Sequence, residues 1–512
     1  MNRFPSALIA MIVSVAVIVG LVAWLSSLVP SGPGEDARRV RIACAAGVKR
    51  PVEDAARAYE AAYGVDVELM YGGSATLLGG LEIKPDSADL YVAADSSYIE
   101  DGRSKGLLRE SIPLARLTPV IAVATGNPHD IRSVEDLVND PDLRVGLANP
   151  EAAAVGRATR QILDTHELWE PLTDRLVVMK PTVVDVANDI AIGSLDASVL
   201  WDATTEQYDA IEMVEDPLLS AGTRTIEVAV VEEAQAPTEA LRFARFLAAR
   251  DRGQLQFNAH GYQTGEGDLW SERPRIVLFA GSMFNQAIED TVQEFALREG
   301  VDVERVYNGC GILTGQMKAG AQPDAYLSCD VRFLDEVQAR FLPGRDLAEN
   351  PMVLITPAGN PRSVRGLDDL LQPDLRVGLA HPDKSALGAL TDRLLVDQGL
   401  KAGLLDSGNW VQQAPQGDFL VNAMRTGSLD AAIVYQSNTA QSREQLEVLP
   451  LDTGALLARQ PWAVSRSTDH SNTLSRLLET LVAERSASRF RALGFIWLAD
   501  QTSPLQDETP TP

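Results

Sequence analysis

Short apolar runs alternate with amphipathic stretches along most of this chain, and the alternation is written twice. "RVRIACAA" from Arg39 and "PRIVLFAG" from Pro274 read as β-strands. Behind them come "PVEDAARAYEAAYG" from Pro51 and "AIEDTVQEFALREG" from Ala287, with apolar residues at helical spacing. A second strand, "VDVELMY" or "VDVERVY", leads through a glycine turn into another helix, and "ADLYVAAD" or "PDAYLSCD" reads as a third strand. Strands alternating with helices predict an α/β fold with mostly parallel sheets, whose ligands bind outside the carboxyl ends of the strands. Midway, "LTPVIAVATGNP" and "ENPMVLITPAGNP" predict long strands that pass into a second lobe, and "RTIEVAVVEE" predicts the return. Each half is therefore expected to be two-lobed, with a cleft between its lobes.

The halves share more than their pattern. "PDLRVGLANP" at Pro141 returns as "PDLRVGLAHP" at Pro373, with Asn149 exchanged for His381. "GVDVE" occurs at Gly64 and Gly300, "GNP" at Gly126 and Gly359, and "GSLDA" at Gly193 and Gly427. The offset drifts by only a few residues, as in a duplication with small insertions. It is far longer than the ~20–50 residues of a solenoid repeat. The domain expectation is thus residues 39–262 for module one and 274–499 for module two, joined by a short linker. Residues 500–512 are expected to form a polar, disordered tail.

With 512 residues, 45% of them hydrophobic, the chain can build several cores. A net charge of −26 speaks against nucleic acid as a partner, because phosphate neutralisation needs a basic face. From Ala7 to Val29 the sequence carries no charge, and Arg3 is the only charge before it. That run exceeds a ~7–15-residue secretory core and suits a span of about 20. With Arg3 inside, residues 1–38 are expected to be a signal anchor and stalk. Both modules then face the extracytoplasmic side of a cell membrane crossed once.

Three cysteines are too few for a disulfide framework, but Cys310 and Cys329 in module two are a possible pair. With Met283 and His381 they also form a candidate soft-metal set, although the spacing matches no local metal motif. No phosphate loop, metal-hydrolase helix or dinucleotide fingerprint is present, so no cofactor and no enzyme activity are expected.

"VYNGCGILTGQM", "YGGSATLLGGLE", "ADLYVAADSSYIE" and "GSLDAAIVY" resemble the periplasmic molybdate-binding proteins, which are type 2 solute-binding proteins. The resemblance runs over both modules. It implies a tetrahedral oxyanion held by hydroxyls and by backbone N–H groups at helix starts, a place where donors are unpaired and the dipole favours an anion. Carried onto module one, the site residues are Gly47 and Val48 in the first loop, Ser74, the backbone near Val155 and Val183, and Trp201. In module two they are Ser282 with Met283, Cys310 as a weak thiol donor, Leu387, Gly417 and Tyr435. Lys49 and Arg50 follow the first loop and could add charge to the module-one site. The implied function is capture of a molybdate- or tungstate-like oxyanion for the permease of an ABC importer. The rival readings are an extracytoplasmic sensor or scaffold, and a soft-metal-binding second module.

Overall fold

A computed structural model describes residues 39–451 and 457–499. The signal-anchor segment and the tail lie outside the described residues. Among the described residues no helix is long and apolar enough to cross a membrane. Contacts divide the described residues into two compact units, with the chain passing between them at Leu247/Ala248, Leu255/Gln256 and Thr264/Gly265.

Unit one has three sheets, one in the near lobe and two in the far lobe. The near sheet takes β1 (Arg39–Ala45), β2 (Asp66–Gly72), β3 (Leu90–Ala93), β4 (Leu108–Leu117) and β10 (Arg224–Val231) in the order β2-β1-β3-β10-β4. β1 is parallel to both neighbours and almost wholly buried, as a central strand covered on both faces should be. β4 leads directly into β5 (Pro119–Ala124) of the far lobe. There β6 (Gly146–Ala148), β7 (Val178–Lys180), β8 (Ala197–Trp201) and β9 (Ile211–Val214) form the pairs β8-β5-β9 and β6-β7, linked by a Val145–Ala197 bridge.

Unit two repeats the plan. Its near sheet is β12-β11-β13-β20-β14-β21, from β11 (Arg275–Gly281), β12 (Asp302–Asn308), β13 (Ala325–Leu327), β14 (Arg345–Asn350), β20 (Ala458–Val464) and β21 (Ile496–Trp497). The far sheet is β17-β16-β18-β15-β19, from β15 (Met352–Pro357), β16 (Val377–Ala380), β17 (Trp410–Ala414), β18 (Ala431–Tyr435) and β19 (Leu446–Pro450). The expectation of mostly parallel sheets needs correction: all four lobes are mixed. β10 and β20 return antiparallel to both neighbours, and β5 and β15 enter antiparallel to theirs. Strands that carry the chain out of a lobe and back must run in opposite senses.

Four helices in each unit frame its cleft. In unit one these are α1 (Lys49–Tyr63), α2 (Ser74–Ile83), α3 (Ala154–Thr165) and α4 (Val183–Ala191). In unit two they are α5 (Asn285–Glu299), α6 (Cys310–Lys318), α7 (Ala386–Asp397) and α8 (Gly417–Arg425). α1 buries Val52, Ala55, Ala56 and Tyr59, the stripe its period predicts, and ends at left-handed Gly64. Gly300 ends α5 in the same way, which explains why "GVDVE" occurs twice.

The repeated decapeptide has a physical reason as well. The Arg144 guanidinium grips Asp196 of the first "GSLDA", with Nε at 3.0 Å, and reaches Gly193 O at 2.9 Å. Arg376 does the same to Asp430 and Gly427 O, at 3.0 and 2.8 Å. The two repeated motifs are thus the two halves of one clasp. These arginines hold both aspartates below the ordinary carboxylate range. A depressed folded pKa gives stability that is present above the unfolded value of about 3.9 and lost as pH falls through the folded one. The wild-type advantage over Asp430→Asn in urea midpoint is therefore expected at pH 7 and should shrink below about pH 4. A difference independent of pH would show that the clasp is not electrostatic.

The stretch after Thr264, read as a linker, is not a bare tether. Asp268 is buried in unit two and accepts from Asn472 N (2.8 Å), Thr473 N (3.0 Å) and Thr473 Oγ1 (2.8 Å), at the start of α9 (Ser471–Val482). It satisfies first-turn N–H groups that the helix itself cannot.

Candidate functional site

In unit one the two lobes are closed on each other. A Cβ on Gly73 would lie 2.2 Å from Ala152 O and 2.8 Å from Pro181 O, so only glycine lets the start of α2 approach the far lobe this closely. Ala75 N donates across the cleft to Ala152 O at 3.1 Å. On the flank, Arg157 bridges to Asp101 at 2.8 Å and lies 4.5 Å over the Tyr98 ring.

The closed lobes surround a cavity of about 10 Å³ lined by Ala45–Gly47, Gly72–Ser74, Ala94, Ala153–Val155, Thr182, Val183 and Trp201. That is far below the ~300–1,000 Å³ typical of pockets for drug-sized ligands and is about the room of one buried water. The loop before α1 and the N-termini of α2, α3 and α4 all meet here, where helix starts present backbone N–H groups that the helix itself does not pair; Ala152 O already takes Ala75 N, and Thr182 Oγ1 takes Asp185 N. Ser74 Oγ accepts from Ala94 N at 3.3 Å and keeps its own proton to donate. Trp201 stands beside Gly47: a Cβ there would lie 3.5 Å from the indole Cδ1 and 3.8 Å from Nε1. The indole occupies space that a side chain on residue 47 would need.

Unit two has the counterpart, about 20 Å³, lined by Ser282, Met283, Gly309, Cys329, Ser385, Ala386, Leu387, Gln416, Gly417, Tyr435 and Asn438. Gly309 again gives the close approach, with its Cβ position 2.6 Å from Lys384 O. Gln416 Nε2 donates across to Asn308 Oδ1 at 3.0 Å. The Tyr435 hydroxyl is buried without a hydrogen-bond partner. Burial, with the Asp330 charge adding to it, keeps the phenol well above its ordinary value, so it remains a proton donor. Asn438 is fixed from both ends: Nδ2 donates to Asp418 Oδ1 (2.8 Å) and Oδ1 accepts from Tyr435 N (3.1 Å). Burial raises the Asp418 carboxyl, against the Asn438 bond. Among the described residues no charged side chain lines either cavity.

Gly47, Ser74, Val155, Val183 and Trp201 thus meet in one cavity, and Ser282, Met283, Leu387, Gly417 and Tyr435 in the other. Val48 is buried but is not among the lining residues. Three expectations are corrected. Lys49 and Arg50 turn away from the site, toward Glu53 (3.7 Å) and Gln207 O (3.2 Å). Cys310 is disulfide-bonded to Cys329 and has no S–H to donate. The same bond consumes both thiols of the soft-metal set, and His381 Nδ1 instead accepts from Asp383 N at 3.1 Å. Among the described residues no group of three or more His, Cys, Asp or Glu could hold a metal ion.

Thr182, Gln416 and Asn438 were missed. The first two immediately precede α4 and α8 at N-cap positions, a signal the sequence does carry. A larger groove of about 430 Å³ opens on the flank of unit one, but its cations Lys105, Arg157 and Arg160 are paired with Glu82, Asp101 and Glu151.

Two mixed-sheet lobes closing on a cavity rimmed by helix N-termini define a solute-binding module, and this chain holds two in tandem. The chain belongs to the bacterial extracellular solute-binding protein family, whose model matches residues 40–263 and again 276–496. A curated relative, the molybdate-binding protein ModA of Mycobacterium tuberculosis (strain ATCC 25618 / H37Rv), is 31% identical over 167 residues. The match covers 32% of this chain and 61% of that relative, so less than two thirds of the relative's length is spanned. A putative binding protein of Haemophilus influenzae is 24% identical over 220 residues, 42% of this chain and 87% of its own. Among solved structures, the periplasmic molybdate-binding protein of Azotobacter vinelandii matches at TM-score 0.38 and 17% identity, over 44% of this chain and 99% of its own. The sulfate-binding protein SubI of Mycobacterium tuberculosis H37Rv matches at TM-score 0.37 and 16% identity, over 44% and 88%. The named relatives are binding proteins, not enzymes.

Proposed function

We propose that this protein is a membrane-tethered extracytoplasmic receptor that captures a molybdate- or tungstate-like oxyanion and delivers it to an ABC importer. The observation that carries the reading is the chemistry of the two cavities. Each offers backbone N–H groups from several helix starts together with neutral hydroxyls, and neither is lined by a charged side chain. Such a site stabilises a small anion through converging dipoles and hydrogen bonds without a counter-charge. The ligand named for the ModA relative agrees with it. The uncharged run from Ala7 to Val29 supplies the tether in this reading.

Unit two is the stronger oxyanion site. Ser282 and Tyr435 both line its cavity, and the Tyr435 hydroxyl is buried with no hydrogen-bond partner among the described residues. A buried donor left unpaired costs about 1–3 kcal/mol, which a bound oxyanion removes. Ser282→Ala is expected to weaken molybdate and tungstate binding about tenfold or more, from a charge-assisted bond of ~1.5–3 kcal/mol. Ser74→Ala should leave that site untouched. Calorimetric titration of both variants in low-phosphate buffer decides. Loss of binding in Ser74→Ala with none in Ser282→Ala would make unit one the receptor.

A further inference from the structure

The two cavities differ at one matched pair of positions. Unit one has Ser74 opening α2 and Ala94 at the end of the next strand, joined by the bond from Ala94 N to Ser74 Oγ at 3.3 Å. Unit two has Cys310 opening α6 and Cys329 after β13, with Cys329 N at 3.0 Å from Cys310 Sγ and a covalent bond between the sulfurs. Cys329 lines the cavity. We propose that this disulfide is a redox gate on unit two, in which the oxidised pair permits oxyanion binding and the reduced pair opposes it. The proposal rests on the oxyanion reading given above.

The geometry selects how the bond would break. Cys329 is 5% exposed and borders the cavity, whereas Cys310 is fully buried, so an incoming thiolate meets Cys329 Sγ first. The leaving sulfur is then Cys310. It sits at the first residue of a nine-residue helix and already receives an N–H from Cys329. Helix N-termini and hydrogen-bond donors stabilise a thiolate, and a more stable thiolate leaves faster. With a dithiol as reductant the balance closes. The dithiol's first sulfur bonds to Cys329 as the Cys310–Cys329 bond breaks. Its second sulfur then displaces Cys329, giving a cyclic disulfide. The two protons of the dithiol end on, or are released from, the two cysteines.

Reduction changes the site in two ways. The covalent link that ties the start of α6 to the end of β13 at the cavity wall is lost, so the helix start that faces the ligand is no longer held in place. Two separated sulfurs also need more room than a bonded pair. Cys310 is fully buried and Cys329 lines the cavity, so the added volume goes toward the cavity. Unit one has no counterpart, because serine and alanine cannot make this exchange. Coupling must be reciprocal, so a bound oxyanion in turn protects the disulfide.

The test uses the full-length protein with molybdate as probe. Calorimetry on the oxidised protein, and on protein reduced by a dithiol under native conditions, is expected to show affinity at the Ser282-dependent site falling roughly tenfold or more, a usual size for coupled sites. Thiol counting should show two new thiols on reduction, released more slowly when molybdate is present. The double variant Cys310→Ser/Cys329→Ala copies the Ser74/Ala94 pair and should bind with the same affinity with or without dithiol. Equal wild-type affinity in both redox states, thiol release indifferent to molybdate, or a disulfide that resists millimolar dithiol would each overturn the gate alone. Absence of molybdate binding in either redox state would remove the oxyanion reading, and the gate with it.

Discussion

Gly73→Ala and Gly309→Ala should each cost their own unit about 10- to 100-fold in oxyanion affinity while leaving its stability nearly unchanged. The reason is steric and local. Both glycines have ordinary extended backbone, with φ −70° and −62°, so alanine is not strained by its own conformation. What it meets is the far lobe, since the new Cβ would lie 2.2 Å from Ala152 O in one unit and 2.6 Å from Lys384 O in the other. Backbone carbonyls cannot swing aside as a side-chain tip can, so the lobes must part. Overpacking of this kind costs roughly 1–3 kcal/mol, and here the cost falls on the closed state alone. Calorimetry with molybdate reads the loss. Faster hydrogen exchange at Ala75, whose N–H reaches Ala152 O, reports the opening in Gly73→Ala. An unaltered affinity in both variants would mean that closure plays no part in binding.

Much of this architecture was legible in the residues. A decapeptide written twice gave the tandem plan, and the structure explains its survival through the Arg144–Asp196 and Arg376–Asp430 clasps. The cleft positions could be placed because they stand where strands end and helices begin, a location that order along the chain reveals. Side-chain direction was less accessible. Lys49 and Arg50 adjoin the first loop in sequence, but the turn of α1 carries them outward to Glu53 and Gln207. The state of Cys310 depends on where the next strand delivers Cys329, a tertiary fact. Gln263 to Arg273 reads as a linker, yet Asp268 is buried because the start of α9 needs acceptors.

The second large effect concerns stability. Arg476 and Glu299 form a bidentate ion pair at 2.6 and 2.9 Å, with side chains only 3% and 1% exposed. Arg476 lies on α9 and Glu299 at the end of α5, so the pair joins two helices inside unit two. Removing one partner leaves the other charged and buried, which typically costs about 3–5 kcal/mol. Arg476→Met should therefore lower the thermal midpoint of the unit-two transition by roughly 10 °C, at ~2–4 °C per kcal/mol for a domain of this size. Arg476→Met combined with Glu299→Leu should recover most of that loss, because no uncompensated charge remains. Scanning calorimetry of both variants tests this. A double variant as unstable as the single one would assign the cost to lost packing.

The two clefts are fastened by different chemistry, and that makes them different instruments. Unit one closes with a guanidinium on a carboxylate, Arg157 on Asp101, at a partly exposed site. Unit two closes with one amide on another, Gln416 on Asn308, and has Ala389 where the repeat places Arg157. An exposed ion pair weakens as salt shortens the Debye length from about 10 Å at 0.1 M to about 3 Å at 1 M, whereas an amide pair is largely indifferent to it. As salt rises, the ion pair across the first cleft weakens while the amide pair across the second does not, so ionic strength acts on the closing of the two clefts unequally.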